Sequence, residues 1–358
     1  MWYIILAISG LALLLGARAA RAKRKKPVLS ALAVRTRESH GFQMREYDFF
    51  RIHYSVRGPH AVPRAPGDDG DCPAQVEDVA TQFLVAHHVF CELAGFRHPL
   101  DSPFFPGRRY IDVFLFHQGI LGEHNKGLSF SVPVPAKSPA DPRARASSIY
   151  LLRDFDVQHN VTPAHEYFHQ IQNGMTRITN GWFYEGMARW SQEALHIQFP
   201  VPVTRRRPGP LMKKSHAHLS DPPLDYPWLH TPDYPRHRPP DVLYDPSALA
   251  DILKESYLAA QLLWIPLANC LPDAEARLPA GDALLRARYS DGTPVMKDHL
   301  FRGARFMRTV LEELEREQAA IYRKNGFRGG WTSKNRRDPR NNRYLLEIVR
   351  STAERLCP

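Results

Sequence analysis

Thr162-Pro163-Ala164-His165-Glu166-Tyr167-Phe168-His169-Gln170-Ile171-Gln172, followed by Trp182-Phe183-Tyr184-Glu185-Gly186-Met187-Ala188, is the stretch on which the reading of this chain turns. It contains the pattern H-E-x-x-H. On a helix, positions i and i+4 differ by about 40° of rotation, so His165 and His169 project side by side and can share one tetrahedral ion. Glu166 sits beside them, placed to hold a metal-bound water and take its proton. Glu185 follows after one short turn. His165, His169 and Glu185 together form a zinc ligand set that leaves the fourth position open, which separates a catalytic ion from a structural one.

The flanks support a helix. Thr162 reads as its N-cap and Pro163 as its first helical residue, where a missing N–H costs nothing. Asn173-Gly174 reads as its stop. Tyr167, Phe168 and Ile171 are apolar neighbours that argue for burial, and buried imidazoles need partners for their ring nitrogens. The plain alternative is an ordinary polar helix face with Glu166 solvated. For the third ligand, the metzincin pattern requires Gly and His where this chain has Gln172 and Met175, so that class is excluded. A second helix starts at Asn180-Gly181 and offers Glu185 and Glu193. Glu185 is preferred, because Gly186 and Ala188 are small enough to let the two helices approach. Its alternative role is an i,i+4 pair with Arg189, worth a few tenths of a kcal/mol. Glu193, two turns on, reads as solvent-facing or paired with Arg189.

With these residues in place, the chain resembles the gluzincin superfamily. It is most similar to a group of bacterial zinc metalloproteases known mostly from sequence. The matching stretches are Phe50-Arg51-Ile52-His53-Tyr54, Ala61-Val62-Pro63, Val76-Glu77-Asp78-Val79-Ala80, Tyr110-Ile111-Asp112-Val113-Phe114-Leu115, Val161 to Gln172, and Trp182 to Trp190. They cover roughly residues 45–195 and keep their order and spacing. The resemblance implies a zincin-like fold, zinc held by His165, His169 and Glu185, and Glu166 as general base. It suggests that Ser147-Ser148-Ile149-Tyr150-Leu151-Leu152 is the strand bordering the cleft, where substrate backbone adds to the sheet edge; a plain core strand is the alternative. It also offers Tyr257 as a catalytic donor to the oxyanion, because a Tyr begins the corresponding helix in the relatives; core packing is its alternative. Asp154 and Asp156 could cap a loop or orient His165. The chain departs from the group at Gly67-Asp68-Asp69-Gly70-Asp71-Cys72-Pro73, which lacks the oxygen-ligand spacing of a calcium loop.

A chain of 358 residues with 43% hydrophobic content can bury a large core, and its net charge of +11 favours anionic partners without deciding the fold. Part of that charge is local. The apolar run Trp2 to Ala17 is followed by Arg18, Arg21, Lys23, Arg24, Lys25 and Lys26. No positive charge precedes the run, and Arg18 spoils Ala17-Arg18-Ala19 as a cleavage site, so a retained membrane anchor is expected over a signal peptide. The basic block favours the cytoplasmic side of a membrane, the bacterial inner membrane under the resemblance, crossed once; the alternative is the secreted location usual for such proteases. Cys72, Cys91, Cys270 and Cys357 permit two disulfides and fit reduced protein equally; no C-x-x-C occurs.

Along the chain, Tyr47 to Arg57 reads as a strand, Val76 to Leu93 as a helix and Tyr110 to Phe116 as a buried strand. Ser247 to Leu271 and Lys297 to Tyr322 read as helices. The expected fold class is α+β. An anchor with its basic flank (1–26) precedes a zincin-like half (45–198), built of a small mixed sheet plus the active-site helix. A proline-rich arm or lid (199–246), a mainly helical C-terminal part (247–322) and a basic tail (323–358) follow. The tail could meet anionic lipid headgroups, nucleic acid or only solvent, with membrane contact preferred to nucleic acid. The expected function is a membrane-anchored zinc metallopeptidase acting on a peptide or protein substrate. The alternative is an inactive zincin-fold binding module at the membrane.

Overall fold

At Tyr47-Asp48-Phe49-Phe50 the chain turns back on itself, so the single strand expected over Tyr47 to Arg57 is in fact the end of one strand and the whole of the next. Asp48 makes the turn with φ 59°, a left-handed conformation that a short polar side chain tolerates better than most. The computed structural model describes residues 37–39, 42–64, 72–118, 127–135, 145–195, 241–269, 278, 282–296 and 302–356, all within one unit, Val34–Pro358. The expected anchor and its basic flank, the Gly67–Asp71 loop, residues 196–240 of the proline-rich arm, Cys270 and Cys357 lie outside the described residues.

The chain is a mixed α and β protein with a small sheet. Strands β1 (Arg37–Ser39), β2 (Phe42–Tyr47), β3 (Phe50–Tyr54), β4 (Arg108–Phe116), β5 (Gly127–Pro135) and β6 (Arg145–Leu152) form a six-stranded sheet in the order β1-β2-β3-β4-β6-β5. β3, β4 and β6 are parallel, and β1, β2 and β5 are antiparallel to their neighbours. The strand over 147–152, expected at the cleft edge, lies inside the sheet, between β4 and β5. Among the described residues the strand at that edge is β5, and β1 forms the opposite edge. The sequence of β5, Gly-Leu-Ser-Phe-Ser-Val-Pro-Val-Pro, contains two prolines, which a sheet accepts at an edge because they cannot donate to a neighbour.

Alternation along β3 sends Phe50, Ile52 and Tyr54 into the core. Phe50 meets Phe83 of the first helix, α1 (Ala74–His87), and Tyr167 of α2 (Thr162–Met175). The opposite face of β3 carries Arg51 and His53 to Asp112 of β4. Arg51 donates two hydrogen bonds, 2.6 and 2.7 Å, and His53 lies 3.0 Å from the same carboxylate. Arg51 and Asp112 are 4% and 5% exposed, so this ion pair is desolvated and stable only because its hydrogen bonds are satisfied.

α1 continues through a π-helical turn, His88–Leu93. Every residue of α2 is buried. A helix buried all round must find a partner for each polar side chain. After α2 and a five-residue link, α3 (Gly181–Leu195) begins where Asn180 accepts from the amides of Phe183 and Tyr184.

The continuous helix expected over Ser247 to Leu271 is broken. α4 (Pro246–Ile252) ends at a turn, and α5 (Ser256–Ala259) then runs through a π turn (Ala260–Trp264) into α6 (Ile265–Asn269). Trp264 closes the π turn. Its indole fills the space beside Gly186 of α3, where a β-carbon would stand 2.8 Å from the ring. Gly186 therefore admits this tryptophan; the close approach it was expected to give to α2 is not its role. The long amphipathic α7 (Ala304–Lys324) buries Phe306, Met307, Val310, Leu311 and Leu314.

The stretch expected as a basic tail is folded. α8 (Ser333–Arg336) and α9 (Asn342–Leu356) follow α7, and Leu345, Ile348 and Val349 of α9 are buried. Sheet and helices share one hydrophobic core. Among the described residues no helix is long and apolar enough to cross a membrane.

Candidate metal centre

α2 starts one residue earlier than expected. Val161 takes the N-cap position, its carbonyl accepting from His165 N, and Thr162 and Pro163 lie in the first turn. The cap comes instead from Asn160, whose side-chain oxygen accepts from the Thr162 amide at 3.0 Å. At the other end Gln318 of α7 donates to Met175 O at 3.1 Å and accepts from Arg177 N at 2.9 Å, which satisfies the last turn.

The helix then presents His165 and His169 together, their rings 4.6 Å apart and nearly perpendicular. Glu185 arrives from α3. Its Oε2 lies 3.3 Å from His165 Nε2 and 3.4 Å from His169 Nε2. Among the described residues, this is where three His, Cys, Asp or Glu side chains bring ligand atoms within 4.8 Å of one another. The donor set and its spacing fit a tetrahedrally held divalent ion. Two atoms each about 2.0–2.1 Å from a tetrahedral ion are about 3.3–3.4 Å apart. The remaining nitrogen of His169, Nδ1, is 2.8 Å from Gln172 Oε1, an arrangement that turns Nε2 toward Glu185. His165 Nδ1 is buried with no hydrogen-bond partner. Asp154 and Asp156 do not orient His165: Asp156 binds His159 at 2.7 Å, and Asp154 faces Arg153.

Electrostatics set the three ligands apart. Burial, with the neighbouring His169, pushes His165 down to about 4, so it is neutral at pH 7. Burial acts on His169 in the same direction, but Glu185 and Glu166 override it and raise that imidazole. Glu185 would be raised by its surroundings, yet the two imidazoles hold it well below the usual carboxylate range. It is also the ligand with an open side, 42% exposed, where a fourth group could approach.

Glu166 is 6% exposed, and no described side chain hydrogen-bonds its carboxyl group. Burial pushes it up to about 8, with a further contribution from Glu185 and an opposing one from His169. Gly127, the first residue of β5, lies against it: a β-carbon there would stand 2.7 Å from Glu166 Oε1 and 2.6 Å from Thr162 Cγ2. Ser129, two residues on, accepts from Gln170 of α2 at 2.5 Å. The edge strand therefore runs directly over the helix that carries the motif.

Four residues that the motif did not single out frame the site. Tyr184 stacks its ring on His169, 4.0 Å between centroids and 7° from parallel. Gln172 donates to Tyr184 O at 3.0 Å, and Asn173 donates to the Tyr184 hydroxyl at 2.9 Å. Arg336, from the folded C-terminal segment, approaches Asn173 Oδ1 at 3.4 Å and donates to Arg177 O at 2.8 Å. The pattern of α2 held a signal for Gln172 and Asn173, since polar residues on a buried helix must bond to something. Nothing local pointed to Arg336. The side chains of Tyr257 and Glu193 lie outside the described residues. Cys72 and Cys91 are free thiols, and burial pushes Cys91 up to about 12, so it is unreactive.

No protein-family model matches this chain, and no curated protein or solved structure matches it either.

Proposed function

We propose that this protein is a zinc-dependent metallopeptidase with a zincin-like catalytic core. The observation that carries the reading is the meeting of three side-chain atoms at 3.3 and 3.4 Å beside a buried carboxyl group that no described side chain hydrogen-bonds. His165 Nε2, His169 Nε2 and Glu185 Oε2 would hold the ion. A zinc ion held there would supply Lewis acidity.

The chain's own residues do the rest. Glu166 sits where burial keeps a carboxyl group protonated, and a cation beside it favours the carboxylate, the form that can accept a proton. As general base, Glu166 takes a proton from the attacking water and passes it to the leaving amide nitrogen. Tyr184 and Gln172 keep the His169 ring in plane. β5, an edge strand of the described sheet, would offer that edge to an extended peptide, which could add as a further strand over Glu166. This edge position supports a peptide substrate over a compact small molecule. Trp2 to Ala17 with the following basic block would tether the enzyme to a membrane.

Metal analysis of the purified full-length protein and of His169→Ala tests the reading, together with cleavage of a peptide mixture before and after chelation. Near-stoichiometric zinc, lost in His169→Ala, with cleavage abolished by chelation, is the expected result. Zinc without cleavage of any peptide would leave a binding module; absence of zinc uptake would remove the metal centre.

A further inference from the structure

Arg336, Asn341 and Asn342 hold the start of α3 from outside. Arg336 O accepts from Thr179 N at 2.8 Å, and Arg336 Nε donates to Arg177 O at 2.8 Å. Asn341, fully buried, donates to Asn180 Oδ1 at 3.2 Å. Asn342 Oδ1 accepts from Asn180 Nδ2 and from the Trp182 indole, both at 2.9 Å. These contacts grip the α2–α3 link and the first turn of α3, the turn that ends on Tyr184 and Glu185. The link itself has no ladder of its own to fix the angle between the two helices.

We propose that Arg336 is a positioning residue for the cation of the metal centre, acting on the α2–α3 link and on Asn173. The inference rests on the metal-site reading above. Arg336 works through two routes. Its backbone and Nε fix the link at Thr179 and Arg177. Its guanidinium steadies Asn173, which in turn holds the Tyr184 hydroxyl and so keeps the ring flat on His169. Partners that orient a metal-ligating imidazole change metal affinity about 10–100-fold when removed. Loosening the first turn of α3 also moves Glu185, the ligand that comes from the other helix.

The test is a Co2+ titration of the metal-free full-length chain, read by the d–d absorption bands, which report ligand geometry, with zinc competition for affinity. Arg336→Ala should bind Co2+ about 10–100-fold more weakly and with altered bands. Arg340→Ala is the comparison for loosening alone, because Arg340 binds Asp338 and Asn325 within the same corner; it should stay within about twofold of wild type. Tyr184→Phe keeps the ring and loses only the hydroxyl, so it serves if Arg336→Ala does not fold. It should weaken Co2+ binding by about threefold or more. Unchanged affinity and bands in Arg336→Ala or Tyr184→Phe, or an equal loss in Arg340→Ala, would overturn the proposal. Wild-type protein that takes up no Co2+ at all would overturn the metal-site reading instead, before any variant is compared.

Discussion

Gly127 and Glu166 are in contact across the interface between the edge strand and the motif helix: a β-carbon on Gly127 would lie 2.7 Å from Glu166 Oε1 and 2.8 Å from Cγ. The proposed base is thus positioned by a backbone, and no side chain could take that place. Gly127→Ala should lower kcat by about 10–100-fold, since a displacement of order 1 Å at a reacting group costs that much. Zinc content should be unchanged, because the three atoms nearest the added methyl belong to Thr162 and Glu166 and not to His165, His169 or Glu185. Loss of zinc in this variant would show that Gly127 supports the fold of the whole centre.

Glu166→Gln should bind zinc normally and hydrolyse peptides about 10²–10⁴-fold more slowly, the usual contribution of general base catalysis. Activity and metal content measured on the same preparation decide this. Hydrolysis at the wild-type rate would remove Glu166 from its role.

Metal uptake should release protons. In the metal-free protein Glu166 titrates at about 8, so at pH 7 it is mostly neutral. A nearby cation favours the carboxylate, so the proton leaves, and affinity should rise as pH increases toward 8. A pH-indicator dye during zinc titration should register this release, and Glu166→Gln should release fewer protons per zinc.

Gly186→Ala should destabilise the protein by about 1–3 kcal/mol through overpacking. The added methyl would meet Trp264 at 2.8 Å, and that indole is itself held by a hydrogen bond to Trp182 O at 3.0 Å. Urea denaturation measures the cost; an unchanged midpoint would mean that the tryptophan moves freely.

Asp112 predicts the response to acid. Burial alone would raise its pKa, but the hydrogen bonds from His53 and Arg51 win and leave it lowered from 3.8. A depressed carboxylate contributes stability that is present above the unfolded value and lost as pH falls through the folded one. Stability should therefore decline below about pH 4. Asp112→Ala should cost about 3–5 kcal/mol at neutral pH by stranding Arg51. Unfolding midpoints across pH for the two proteins check both statements.

The meeting of His165, His169 and Glu185 was legible because it is local. His165 and His169 are one helical turn apart, and Glu185 follows on the next helix, so spacing alone brings all three together. The frame was not legible, because it comes from far along the chain: Arg336 and Asn173 are separated by 163 residues. A run of Arg and Lys reads as a solvated tail until the apolar positions Leu345, Ile348 and Val349 are seen to pack, and their helical spacing was the signal overlooked. The edge strand was missed for another reason. Pro133 and Pro135 argue against a strand in general, yet at an edge that objection vanishes. The Tyr47–Phe50 reversal needed an aspartate in a left-handed turn, which alternation of apolar residues does not report.

Pro133 and Pro135 have one more effect. An open strand edge invites neighbouring molecules to stack into fibrils, and prolines are among the devices that blunt this hazard. β5 keeps its backbone donors over its first half and lacks two of them in the second. Under the proposed peptidase reading, the border of the described sheet would lodge a short visiting segment near Gly127, while the two prolines would work against pairing along the full strand with another copy.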